Sequence, residues 1–280
     1  MRAVLFCMAY ILVLLLTGMV IGTIYGISLL AKPTSAASFN TVLLASLFIG
    51  SIAAIIIAIV FRRFIDRQPI LSLGLAWKNF QQDAWTGFLL GPALLGAGSL
   101  ILFFNHNLQW TDAVFHARDF FLALVLVLLI AVSEEVVFRG YILNNLMESM
   151  NKWVALIISA LIFTIAHGTN PNINVLSLIN LFVGGLLLGI NFIYTRNLWF
   201  AILFHFTWNF LQGPILGFDV SGLALQSVLQ QEVSGNPILT GGLFGFEGSV
   251  ICTILSIITL LLLYLVYEAR AGKLIFSAAK

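Results

Sequence analysis

Apolar residues run along this chain in long blocks separated by short polar stretches. Blocks near the ~20 residues needed to cross a bilayer fall at 3–31, 40–61, 84–104, 118–147, 153–167, 174–195, 198–214 and 249–268. The pattern predicts an all-α integral membrane protein, a bundle of about eight transmembrane helices in one polytopic domain over 1–280. The fifth and seventh blocks are short and carry histidines, so tilt or burial within protein is expected there.

Composition agrees. The chain has 280 residues, 61% hydrophobic and 9% charged, against about 25% charged in a soluble domain, so lipid is the expected solvent. A net charge of +2 is too small to argue for a nucleic-acid partner. Cys7 and Cys252 lie in apolar runs at opposite ends of the chain. That placement suits neither a metal knuckle nor a disulfide framework.

Arg2 precedes an apolar run that continues to about Leu30. A signal-peptide core is about 7–15 residues long, so a retained first span is expected. Basic residues orient the chain. With the N-terminus cytoplasmic, Arg2, Arg62, Arg63, Arg67, Lys78, Lys152, Arg196, Arg270, Lys273 and Lys280 lie inside. Lys32 and Arg118 lie outside, and Arg139 is intramembrane. Both termini are therefore expected on the cytoplasmic side.

Two connections stand apart. Residues 62–83 mix basic residues, leucines and Trp77, which suits either an interfacial segment or a solvated loop. Residues 213–248 hold eight glycines and two prolines. A loop of that length is functional or partly disordered, and this one is placed to cap the bundle from outside, with nothing in it that looks catalytic. The absence of a strong internal repeat counts against a transporter.

Ionisable side chains at membrane depth cost at least ~2.5–3.5 kcal/mol each, so they mark function by default. Here they are Glu134, Glu135, Arg139, His167 and His205; His106 and His116 sit in a short polar loop. Glu135 and Arg139 are four apart, acid first, the favoured orientation for an ion pair on one helix face. Glu134 points roughly 140° away from Arg139. Arg139 can therefore neutralise Glu135 and leave Glu134 free for acid–base work. His167 ends the fifth block. His205 and Asn209 share a face of the seventh, and both side chains can donate hydrogen bonds, as an oxyanion hole requires. Each group taken alone would also serve as helix–helix glue. Together they make a site for adding water to a carbonyl. There is no HExxH, no GxSxG and no pair of membrane-buried aspartates.

EExxxR on one span, FxxxH on the next and HxxxN two spans later resemble the CPBP family of type II CAAX prenyl proteases, bacteriocin-processing and immunity proteins, also called ABI or lysostaphin-resistance-like proteins. The likeness covers roughly 131–209, within a catalytic core expected at 118–214, with a weaker echo in the LGL at Leu73 to Leu75. It implies an eight-helix membrane endopeptidase acting on a membrane-associated peptide or protein, lipidated or not, within the bilayer. Glu134 would activate water and His167 would help to hold it. His205 and Asn209 would stabilise the oxyanion, with Glu135 and Arg139 in support. No cofactor is required on this reading. A metalloprotease alternative would place zinc on Glu134, His167 and His205. A non-catalytic immunity-type binding protein is the alternative function. One tension stands: His205 is ~13 Å along the chain from Arg196, whereas His167 is ~22 Å from Lys152 at ~1.5 Å per residue.

Overall fold

The computed structural model describes residues 1–31 and 36–278, with side chains described for 1–26 and 41–272. Lys32 and Lys280, used above to orient the chain, lie outside the described residues. Eight longer helices order the chain: α1 Arg2–Ala31, α2 Ala36–Val60, α3 Gln81–Phe104, α4 Ala117–Glu135, α5 Lys152–Ala166, α6 Val175–Ile190, α7 Trp199–Phe210 and α8 Val250–Ala278. Three run on through π-helical turns, α2 at Phe61–Ile65, α4 at Val136–Leu143 and α7 at Leu211–Ile215.

Six stretches are long and apolar enough to cross a membrane: 2–26, 41–65, 81–104, 117–146, 175–195 and 250–272. The chain is thus an integral, multi-pass membrane protein. The other two apolar blocks form shorter helices, α5 with 15 residues and α7 with 12. Burial separates lipid-facing from central helices. The apolar window of the first stretch is 6% buried, and that of 175–195 is 67% buried. Ile11, Leu12, Leu15 and Leu16 of α1 are exposed, as residues solvated by acyl chains should be.

Small residues let α3 and α7 pack at close range. A Cβ on Gly87 would lie 2.2 Å from the Phe200 carbonyl oxygen, and one on Gly91 would lie 2.5 Å from Thr207 Oγ1. This GxxxG pair is the membrane device for bringing backbones together.

The segment 61–80 lies largely exposed, Phe64, Leu71 and Trp77 included, and is pinned to the bundle at a few points. Arg62 and Leu73 are buried, and Gly74, at φ 102°, supplies a carbonyl to Leu198 N–H at 2.9 Å. Asn197 donates to the Ala76 carbonyl at 2.6 Å and the Trp199 indole to the Leu75 carbonyl at 3.3 Å. α7 therefore starts on chain already packed into the bundle.

At the other end, β1 (Leu108–Ala113) pairs antiparallel with β2 (Leu229–Val233), Leu108 opposite Val233, with a bulge between Trp110 and Asp112. The ribbon joins the 105–117 loop to the 213–248 segment. Within that segment Val220 and Leu223 exchange backbone hydrogen bonds at 3.0 and 2.9 Å. The intervening Ser221 and Gly222 have φ of 48° and 83°, as a two-residue hairpin turn with both central residues left-handed requires.

Candidate active site

Two adjacent glutamates on α4 have different fates. Glu135 is fully buried, and its Oε1 accepts from Arg139 Nη1 and from His205 Nδ1, each at 2.9 Å. The Arg139 guanidinium also donates to the Gly185 carbonyl at 3.2 Å and lies 4.6 Å from the centre of the Phe163 ring. It can reach that carbonyl because Gly185 sits against α5, where a Cβ would be 2.9 Å from that of Ala160. The π-helical turn after Glu135 frees carbonyls that side chains then satisfy. Ser159 donates to Phe138 and Asn145 to Tyr141, both at 3.0 Å. Such bulges gather at functional sites.

Glu134 turns the other way, as its helical offset from Arg139 predicts. It lines a cavity of about 350 Å³ together with His167, His205 and Asn209. Its Oε2 lies 3.6 Å from His167 Nε2 and 3.9 Å from His205 Nε2. That oxygen is buried and has no hydrogen-bond partner. Tautomers follow from the partners of the other ring nitrogens. His167 Nδ1 faces the Phe163 carbonyl at 2.8 Å, and His205 Nδ1 faces the Glu135 carboxylate. Both partners only accept when Glu135 is ionised, so both Nδ1 atoms carry protons. Neutral imidazoles then turn two Nε2 lone pairs toward Glu134. With both imidazoles neutral, three acceptors meet with no donor among them, which is the environment a water molecule fills by donating.

The structure thus brings all four candidate catalytic residues to one cavity and sets Glu135 and Arg139 behind them. A refinement concerns His205. Its Nδ1 proton is committed to Glu135, so it offers a donor to the cavity only when Nε2 is protonated as well. Zinc held by His nitrogens and a carboxylate needs donors at about 2.0–2.2 Å around one centre. Among the described residues no group of three or more His, Cys, Asp or Glu is placed to hold a metal ion. Glu134, His167 and His205 are the residues that would hold such an ion, with Glu134 Oε2 at 3.6 and 3.9 Å from the two Nε2 atoms.

Sequence reasoning missed the contribution of the 213–248 segment. Val220, Ser221, Leu223, Leu225 and Glu247 all line the cavity. Glu247 accepts from the Trp208 indole at 3.1 Å, from Ser221 N–H at 2.9 Å and from Ser221 Oγ at 2.7 Å. Asn170 donates to the Ser221 carbonyl at 3.1 Å, and Asn180 to those of Glu247 and Ser249 at 2.7 and 2.8 Å. Burial raises the Asp219 carboxyl above the usual aspartate range in this same segment. The Ser-Gly dipeptide was the available signal, since it marks a tight turn. Nothing local marks Glu247.

Residues 116–211 match the family model described as type II CAAX prenyl endopeptidase Rce1-like. The matched stretch holds all three motifs, from Glu134 to Asn209, and it ends before the capping segment. The family resemblance read from those motifs is therefore shown for this part of the chain. No curated protein matches the chain.

Proposed function

We propose that this domain of the type II CAAX prenyl endopeptidase family hydrolyses a peptide bond of a membrane-associated peptide or protein within the bilayer, with Glu134 as the base. The observation that carries this reading is the Glu134 Oε2 atom. It is buried, lacks any donor, and lies within 4 Å of two imidazole nitrogens on the wall of a mostly apolar cavity.

The chemistry follows from the acceptors. A water held between Glu134 and His167 donates its two protons to them. As its oxygen attacks the scissile carbonyl carbon, Glu134 takes the proton and the carbonyl oxygen becomes an anion. Asn209 Nδ2–H is the donor available to that anion without any change of protonation. His205 adds a second donor when both of its ring nitrogens carry protons. Collapse of the tetrahedral intermediate expels the amine, which takes the proton from Glu134. Donors fixed before the reaction at the developing charge supply the larger part of such rate enhancements.

No step is routed through a metal, and metal-independent hydrolysis is part of the proposal. Chelator-treated enzyme is expected to keep its activity. We also place both termini on the cytoplasmic side, on the distribution of basic residues.

The test is hydrolysis of membrane-anchored quenched peptides by purified protein in liposomes. Glu134→Gln is expected to be inactive while folding normally. Cleavage at the parent rate would end the reading. An immunity-type binding role would survive that substitution, since shape and hydrogen-bonding capacity persist.

A further inference from the structure

The cavity is lined by two carboxylates, Glu134 and Glu247. Among the described residues neither has a Lys or Arg within ion-pair distance. Carboxylates buried elsewhere are treated differently. Glu135 has Arg139 at 2.9 Å, Asp66 has Arg62 at 3.1 Å and Asp83 has Arg270 at 3.0 Å. The three donors on Glu247 are all neutral: an indole, a backbone amide and a hydroxyl. A carboxylate offers about four lone-pair sites, so one acceptor position stays open. Glu134 faces His167 and His205, whereas Glu247 faces neutral donors alone, so a cation placed beside Glu247 gains from an unscreened charge.

The position of Glu247 is built. Ser221 donates twice to one of its oxygens while held at φ 48°, a left-handed conformation that a non-glycine residue keeps only where its surroundings impose it. Gly222 follows at φ 83°, where a Cβ would meet the Pro171 carbonyl oxygen at 2.1 Å. The turn is thus wedged between the α5–α6 connection and Glu247. Around the carboxylate, Val220, Leu223 and Leu225 give the cavity an apolar wall. An apolar slot that ends in a fixed, unneutralised carboxylate suits a long side chain with a cationic tip.

We propose that Glu247 ends a specificity subsite, formed by the 213–248 segment, that takes a lysine or arginine side chain of the substrate near the scissile bond. The proposal rests on the endopeptidase reading and narrows its substrate class. The substrate supplies the positive charge that Glu247 lacks, and an acidic residue at the same place is rejected.

The experiment walks a single lysine, position by position, along an otherwise apolar membrane-anchored quenched peptide, with norleucine at the same position as the control. The parent enzyme in liposomes is expected to prefer lysine about tenfold in kcat/KM at one position, in line with one charge-assisted hydrogen bond. Glu247→Gln keeps size and leaves one acceptor oxygen, enough for the two Ser221 donors but not for the Trp208 indole as well, and it is expected to cut both peptides of that pair at equal rates. Equal slowing of both peptides by Glu247→Gln, or no position at which the parent prefers lysine, overturns the subsite. Binding of the lysine and norleucine peptides to the Glu134→Gln protein, read by fluorescence anisotropy, tests the subsite without hydrolysis. Retained cleavage by Glu134→Gln would defeat the proposed mechanism while leaving that binding difference to be judged separately.

Discussion

Two polar clusters meet α4 and its π-helical turn, and they are finished differently. In the first, Asp66 is completely buried by side chain. Its Oδ2 accepts from Arg62 at 3.1 Å and Asn145 at 3.3 Å, and its Oδ1 accepts from Tyr141 at 3.1 Å. Both of its oxygens are satisfied. In the second, Glu134 keeps an oxygen with no donor at all, and that oxygen lines a cavity. Burying a polar atom without a partner is costly, so a fold retains one where something arrives to pair with it. What separates the two carboxylates is the cavity: the unpaired oxygen of Glu134 lines open space, whereas Asp66 is closed off by its donors.

Four substitutions sharpen or break this contrast. The largest effect is expected from Glu134→Gln, which removes the base while keeping the shape. Hydrolysis is expected to fall about 10³-fold, with an unchanged melting temperature in detergent. A stability loss without a rate loss would make Glu134 structural. Next is Arg139→Met, which strips the buried Glu135 of its guanidinium. Unfolding free energy is expected to drop by ~3 kcal/mol, because a buried charge loses its partner; a small change would mean that His205 alone suffices for Glu135. Asn209→Ala comes third, at about 100-fold in kcat with little change in KM, the signature of a lost oxyanion donor. A rise in KM alone would move Asn209 from the transition state to ground-state binding. The smallest is Tyr141→Phe in the saturated cluster, expected to cost about 1 kcal/mol of stability and to leave the rate untouched. A rate effect there would show that the two clusters are coupled through the π-helical turn.

The sequence made the α4 chemistry legible because it is local. The spacing of Glu135 and Arg139 predicts their pairing, and the same geometry turns Glu134 away from it. The helical face shared by His205 and Asn209 was equally plain. Other features were hidden because they belong to no local pattern. The anchoring of 61–80 at Leu73 and Gly74 depends on Gly74 meeting Leu198. The Glu135–His205 bond, which fixes a tautomer, joins two different helices. Glu247 resembles any loop glutamate until the turn at Ser221 is set against it.

By itself the sequence determined that the chain lives in lipid, where its helices lie to within a few residues, and which side chains could act on a peptide bond. These follow from lengths of apolar runs and from spacing along one helix, properties of neighbouring residues. Only the tertiary structure decided that four side chains from three helices share one cavity, and that a glycine-rich connection lines it. The reason is packing. How deep α7 starts is set by the chain beneath it, and how near α3 it lies is set by Gly87 and Gly91. Neither contact is written in the stretch that carries the histidine.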